Sequence, residues 1–238
     1  MSMSDSESAA TPTLDELLAA HAAGRLPPPV ALVVASHLAL SPGSRRRHRA
    51  YEAVGGALLE AIDPAPLAPD AWDRLLARLD DADREPGREP SVRPRGPEVG
   101  LAPGAGPEVL GRLPRPLRDL LPDPPEGLPW RRLGGGAAAA AELDPGWPGH
   151  RTTLLRMRPG GAFPHHTHRG VELVLVLEGA FRDETGRYGR GDLQIADAAV
   201  EHGPVAEAGG ECLCVRVLDA PLRRAGVLGR LLDSFRPL

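Results

Sequence analysis

Residues 164–172 read PHHTHRGVE, which places three of the chain's eight histidines and a glutamate within nine residues. Imidazole and carboxylate are the side chains that hold borderline-to-hard divalent cations. Side chains alternate across an extended strand. His166, His168 and Glu172 are all even-numbered, as are Val174 and Val176, so an extended segment turns two imidazoles and a carboxylate to one side. Burying these groups without partners is costly, and a divalent cation removes the penalty by giving each lone pair a destination. A further ligand is expected from a neighbouring strand, and His202 in AVEHGP is the best candidate. His165 has the opposite parity and reads as a bystander or outer partner. Glu201, beside His202, reads as a solvated charge. Cys212 and Cys214 share a face of the run CLCVRVL, where two small apolar core residues are the simpler reading and a redox pair the alternative.

The elements that must carry these residues follow from periodicity. TTLLRMRP, VELVLVLEG, GAFRDE, DLQIAD and CLCVRVL are short strand-like runs separated by GG, ETGRYGRG and EAGG, so a sandwich or barrel is expected there. The last stretch, LRRAGVLGRLLDSF, reads as helix. The first 80 residues have a helical period. Thr13 and Glu16 form a capping box ahead of Leu14, Leu17, Leu18 and His21, and that helix stops at Gly24. VALVVASHLAL is apolar on nearly every face, which predicts a central helix. SPGS at 41–44 reads as a turn. A third helix, RRRHRAYEAVGGALLEAI, aligns Tyr51, Val54, Leu58 and Ile62, and its Arg run reads as a solvated face. Gly55 and Gly56 each cost about 1 kcal/mol inside a helix, so close packing or a bend is expected at them. A fourth helix carries Trp72, Leu75, Leu76 and Leu79. Residues 1–12 read as a disordered tail, 13–80 as a helical domain, 81–106 as a Pro/Gly/Arg-rich linker, and 107–238 as a β-domain with flanking helices. VLGRLPRPLRDLLP, after the linker, reads as a short helix or docking segment. The fold class is therefore α+β in two domains.

Composition narrows the function. The net charge is −4 and all 28 basic residues are arginine, so direct nucleic-acid binding is not expected. No apolar run reaches a membrane span, the N-terminus is unlike a signal peptide, and two cysteines make no disulfide framework. A cytoplasmic protein is expected.

Two resemblances sharpen the reading. Gly160-x5-His166-x-His168-x3-Glu172-x6-Gly179 resembles the first cupin motif. Gly191-x5-Asp197-x-Ala199-x2-His202 resembles the second in its glycine and histidine spacing. The likeness implies a jelly-roll barrel and the metal ligands His166, His168, Glu172 and His202. Zinc is the expected metal, with iron or manganese as alternatives. The chain from about residue 14 onward also resembles the ChrR class of anti-sigma factors. The likeness lies in AAGRLPPPVALVVASHLAL, YEAVGGALLE and WRRLGGG, then in HRGVELVLVLEGAFRDETGRYGRGDLQIAD, EHGPVAE and DAPLR. Members of that class join a helical domain that binds an extracytoplasmic-function sigma factor to a C-terminal cupin domain. The class also holds zinc in the helical domain through an upstream His and an H-x3-C-x2-C motif. Here the motif reads His37-x3-Ser41-x2-Ser44, and Pro12 stands where the upstream His is expected. Serine is a poor zinc ligand, so no metal is expected in the N-terminal domain and His37 reads as a core residue. The resemblance implies a regulator that senses an oxidative signal through the cupin metal. A metal-dependent cupin enzyme of dioxygenase or isomerase type, with a vestigial helical domain, is the alternative.

Overall fold

The computed structural model describes residues 11–84, 113–121, 128–143, 146–220 and 222–224. Most of the tail and linker read from the sequence lie outside these residues.

Thr13 opens the first helix. Its hydroxyl accepts from the Glu16 amide while the Glu16 carboxylate accepts from the Thr13 amide, the reciprocal capping its sequence predicts. Helix α1 spans Leu14–Ala22, α2 spans Pro28–Leu40, α3 spans Pro42–Glu60, α4 spans Ala71–Arg84 and the short α5 spans Arg115–Arg118. SPGS is not a separate turn. Ser41 caps α3 through the Ser44 amide, and Pro42 lies in the first turn, where its missing amide costs nothing. The Arg run is only partly a solvated face: Arg45 donates to the Leu38 and Ala39 carbonyls at the end of α2, and Arg47 pairs with Asp15 at 2.8 Å.

The strands are β1 Arg131–Leu133, β2 Ala138–Leu143, β3 Arg151–Met157, β4 His166–His168, β5 Glu172–Glu178, β6 Ala180–Asp183, β7 Gly186–Gly189, β8 Leu193–Ala196, β9 Glu201–His202, β10 Val205–Ala206, β11 Cys212–Leu218 and β12 Leu222–Arg224. A six-stranded sheet has the order β1-β2-β3-β11-β5-β8, and two three-stranded sheets have the orders β10-β6-β7 and β12-β4-β9. All paired strands are antiparallel. The helix expected from residue 222 is corrected at its start. Leu222–Arg224 is a strand on β4, because its backbone supplies the outer edge of the small sheet; the rest of that segment lies outside the described residues.

The large sheet is buried on both faces. One face packs Val174, Val176, Cys212 and Cys214 with Phe163 and with Phe181 and Ala206 of the small sheet, forming the barrel interior. The other face presents Leu173, Leu175, Leu177, Leu213, Val215 and Val217 to α1, α2 and α5, through Leu17, Leu18, Val33, Val34 and Leu117. Helix α2 is the central helix its composition predicts, lying between its helical neighbours and strands β5 and β11. The helical region and the sheet thus share one apolar core. No helix among the described residues is long and apolar enough to cross a membrane.

His37 ties the two regions together. Its imidazole is buried, with Nδ1 2.8 Å from the Gly191 carbonyl and Nε2 2.8 Å from the Ser44 hydroxyl. Gly191 has φ 90°, a conformation that favours glycine, in the turn between β7 and β8. Burial lowers the pKa of His37, outweighing the hydrogen bond to Gly191, so the ring is neutral at pH 7. The expected core role of His37 is what the structure shows, with the turn of the second glycine–histidine motif as its partner. His37→Ala leaves a buried carbonyl and hydroxyl without this partner and is expected to lower stability by about 1–3 kcal/mol, measured by urea denaturation.

The two glycines inside α3 differ from expectation. A Cβ at Gly55 or Gly56 would meet nothing within 4 Å. Their half of α3 lies clear of the core, so no close packing inside the described chain explains them. The adjoining Val54, Leu58, Leu59 and Ile62 are exposed, as are Trp72, Leu75, Leu76 and Leu79 of α4.

Candidate metal centre

Strand β4 brings two histidines to the inner side of the barrel. Its partner β9 sets His202 directly opposite His166, and β5 begins with Glu172 after a bend at Arg169–Gly170. The turn that ends β5 is fixed by Gly179, with φ 70°, where a Cβ would strike the Glu211 carbonyl.

His166, His168, Glu172 and His202 converge with one ligand atom each, all within 4.8 Å of one another. None is more than 3% exposed. Glu172 Oε2 lies 2.9 Å from His168 Nε2, 3.3 Å from His202 Nε2 and 3.8 Å from His166 Nε2. The two nitrogens Nε2 of His166 and His202 are 3.2 Å apart. His165 points elsewhere, pairing with Glu184 at 2.8 Å, and Glu201 is exposed, as their parity predicts.

The outer nitrogens show that the group fits a cation. His166 Nδ1 faces the Pro164 carbonyl at 2.9 Å, His168 Nδ1 the Asp197 carbonyl at 3.2 Å, and His202 Nδ1 the Asp183 carboxylate at 2.6 Å. Each acceptor favours a proton on Nδ1, which leaves the Nε2 lone pair free to point at the shared centre. His168 Nε2 is buried and, despite its nearness to Glu172, is not aligned for a hydrogen bond with any described group. Three converging lone pairs and a carboxylate repel one another unless a positive charge sits among them. This buried cluster of three imidazoles and one carboxylate can therefore hold a divalent metal.

Without metal, a proton partly fills that role. Burial works to raise the Glu172 pKa, but the surrounding imidazoles and Arg216 hold it well below the usual carboxylate range. Burial works against the His202 imidazolium, yet Glu172 and Asp183 more than offset this and raise its pKa. His166 goes the other way, its pKa lowered chiefly by burial. These shifts keep Glu172 ionised and favour a proton on His202 over one on His166. This contribution to metal-free stability is present below the ordinary histidine pKa and is lost as pH rises through the raised one. Metal must displace that proton. Metal uptake is expected to release about one proton below the raised pKa and progressively less above it, measured by calorimetry in buffers of different ionisation enthalpy.

Asp183, on β6, also accepts from the Gln194 amide and the Thr185 hydroxyl. No spacing rule marks it, because only the fold brings β6 beside β9. Asp183→Asn removes the charge that orients His202 and is expected to weaken metal affinity about 10- to 100-fold, read by chelator competition. Sequence reasoning also missed Arg216, whose guanidinium lies 3.8 Å from Glu172 Oε1, although an arginine at inward parity in CLCVRVL is a readable signal. Cys212 and Cys214 are buried with their sulfurs 3.6 Å apart, and Cys214 lines the cavity beside the cluster.

Comparison with known proteins agrees with this architecture. Residues 125–220 match the family model of the ChrR cupin-like domain. The chain is 42% identical to the anti-sigma-E factor ChrR of Cereibacter sphaeroides over 222 residues, covering 93% of this chain and 95% of that protein. It is also similar to the crystal structure of Rhodobacter sphaeroides SigE in complex with the anti-sigma ChrR. That match has a TM-score of 0.63 and 39% identity, and covers 88% of this chain and 98% of that one.

Proposed function

Since the chain belongs to the ChrR family of anti-sigma factors, we propose that it binds an extracytoplasmic-function sigma factor through its helical region, 13–80, and senses an oxidative signal through one divalent metal in its barrel. The observation that carries this reading is the exposed apolar face of α3 and α4, which no described residue covers. Leu58, Leu59, Ile62 and Trp72 are each about two-thirds exposed, and Leu75 and Leu79 about half. An apolar surface of this extent marks a protein interface, and glycines at 55 and 56 let a partner's backbone approach. The related ChrR is seen bound to SigE, which supports a sigma factor as the occupant. The whole-chain likeness is to an anti-sigma factor and favours the regulatory reading over an enzymatic one.

His166, His168, Glu172 and His202 are the proposed ligands, and zinc is the proposed metal because three imidazoles and a carboxylate suit it. No metal is proposed in the helical region. There His37, Ser41 and Ser44 are linked by hydrogen bonds, and neutral hydroxyls replace thiolates. The protein acts in the cytoplasm without touching nucleic acid itself. The test is co-purification of the full chain with its cognate sigma factor, followed by metal analysis. A stable complex carrying one metal equivalent in the anti-sigma chain is expected. Absence of any complex with the folded full chain overturns the sigma-binding reading, and two equivalents overturn the metal assignment in the helical region.

A further inference from the structure

The barrel holds a buried charged side chain that is not among the proposed metal ligands. Arg216 points inward from β11, opposite Thr153 of β3 and Val174 of β5. It is 5% exposed, and two of its donor nitrogens, Nε and Nη1, have no hydrogen-bond partner among the described residues. Nη1 lies 3.8 Å from Glu172 Oε1, too long for a hydrogen bond, and the guanidinium carbon sits 5.6 Å from the Phe163 ring centre. Buried guanidinium groups are almost always matched to an acceptor. Gln194 Oε1, also buried, is likewise unpartnered among the described residues.

Arg216 and Gln194 line the same cavity as His166, Glu172 and His202. The remaining walls are mainly apolar, with Met157, Phe163, Val174 and Phe181 among them. The cavity is about 20 Å³, against the roughly 10–15 Å³ that one water-sized group requires. Charge points the same way. A divalent cation at the cluster would draw on the Glu172 carboxylate that Arg216 faces at 3.8 Å, leaving the guanidinium less compensated.

We propose that this cavity binds a small planar carboxylate of formate size, held between Arg216 and the metal of the histidine–glutamate cluster. The proposal rests on the metal reading above. An anion there supplies the acceptor that Arg216 lacks and neutralises the site. A purely apolar ligand supplies no such acceptor. The narrow cavity, little more than the space of one water-sized group, favours the smallest carboxylate.

The test loads the full chain with Co(II), whose visible absorption reports its ligands, and titrates sodium formate at constant ionic strength. A saturable spectral change is expected, with affinity decreasing from formate to acetate to propionate. At matched cobalt occupancy, Arg216→Met is expected to bind formate about 10- to 100-fold more weakly, the range of one charge-assisted hydrogen bond; Arg216→Lys is expected to fall between. Cobalt content and circular dichroism show that the variants are folded. The acid series on the unaltered chain stands even if a variant is not. Cobalt uptake with no saturable response to formate overturns the anion site and leaves the metal reading standing, whereas failure to take up cobalt overturns both. Equal formate affinity with and without Arg216, or tighter binding of propionate than formate, also overturns the proposal.

Discussion

A full-length chain carrying His166→Ala and His202→Ala is expected to purify without the metal that the unaltered chain retains. It should also melt well below the metal-loaded protein. Each substitution deletes one imidazole of the cluster, and the two remaining donors cannot enclose a cation. A metal that binds only the folded state stabilises it by mass action, so its loss would remove about 3–4 kcal/mol when free metal exceeds Kd by roughly 100- to 1,000-fold. The cost is not only metal. Glu172 is 1% exposed and loses two of the three imidazoles that hold it ionised. Elemental analysis and calorimetric melting check both parts. Glu172→Gln serves as the companion variant: it keeps the shape but removes the charge, and is expected to lose most of the metal with a smaller drop in melting temperature. Metal content at the native level in the double histidine variant would dismantle the assignment of the centre.

The second large effect lies on the exposed apolar face of α3 and α4. Trp72→Ala combined with Leu58→Asp is expected to abolish measurable complex formation with the sigma factor while leaving the isolated chain as stable as before. Both side chains are about two-thirds exposed, and exposed substitutions away from structural features usually shift stability by no more than about 0.5 kcal/mol. At an interface the same residues are buried, and truncating an anchor there costs about 2–4 kcal/mol, or roughly 30- to 1,000-fold in affinity. Val33→Ala supplies the inverse pattern. Val33 is fully buried against the sheet, so its truncation should lower stability and leave the exposed face intact. Calorimetric titration of the sigma factor, run beside thermal melts, separates the two outcomes.

Elements with a clean period were legible in the sequence. The capping box at Thr13, helices α1, α2 and α4, and the apolar runs that became β3, β5, β6, β8 and β11 are where their patterns place them, whereas α3 starts earlier, inside the stretch read as a turn. Parity alone put His166, His168 and Glu172 on one side and turned His165 and Glu201 away. Strand β2 was not legible. Ala138–Leu143 is mostly alanine, a residue with high helix and low strand preference. It is a strand because β1 and β3 flank it, a tertiary effect that no local window contains. Asp183, Gln194 and the carbonyls behind the histidines escaped for the same reason. Their roles depend on which strands become neighbours, and turns and small sheets decide that. The separation into two halves was read from a Pro/Gly-rich stretch; chain composition there says nothing about whether the helices on one side rest on the sheet on the other.

Strand β11 divides the barrel from the helices. Alternate residues look into different rooms: Cys214 and Arg216 into the barrel, Val215 and Val217 onto the helices. An extended backbone has almost no slack along its length, so a shift at one side chain is inherited by the next. News of an event inside the barrel therefore need cross only a single peptide plane to reach the packing beneath α2. Helix α2 packs in turn on α3, which carries Val54, Leu58 and Leu59 of the exposed apolar face.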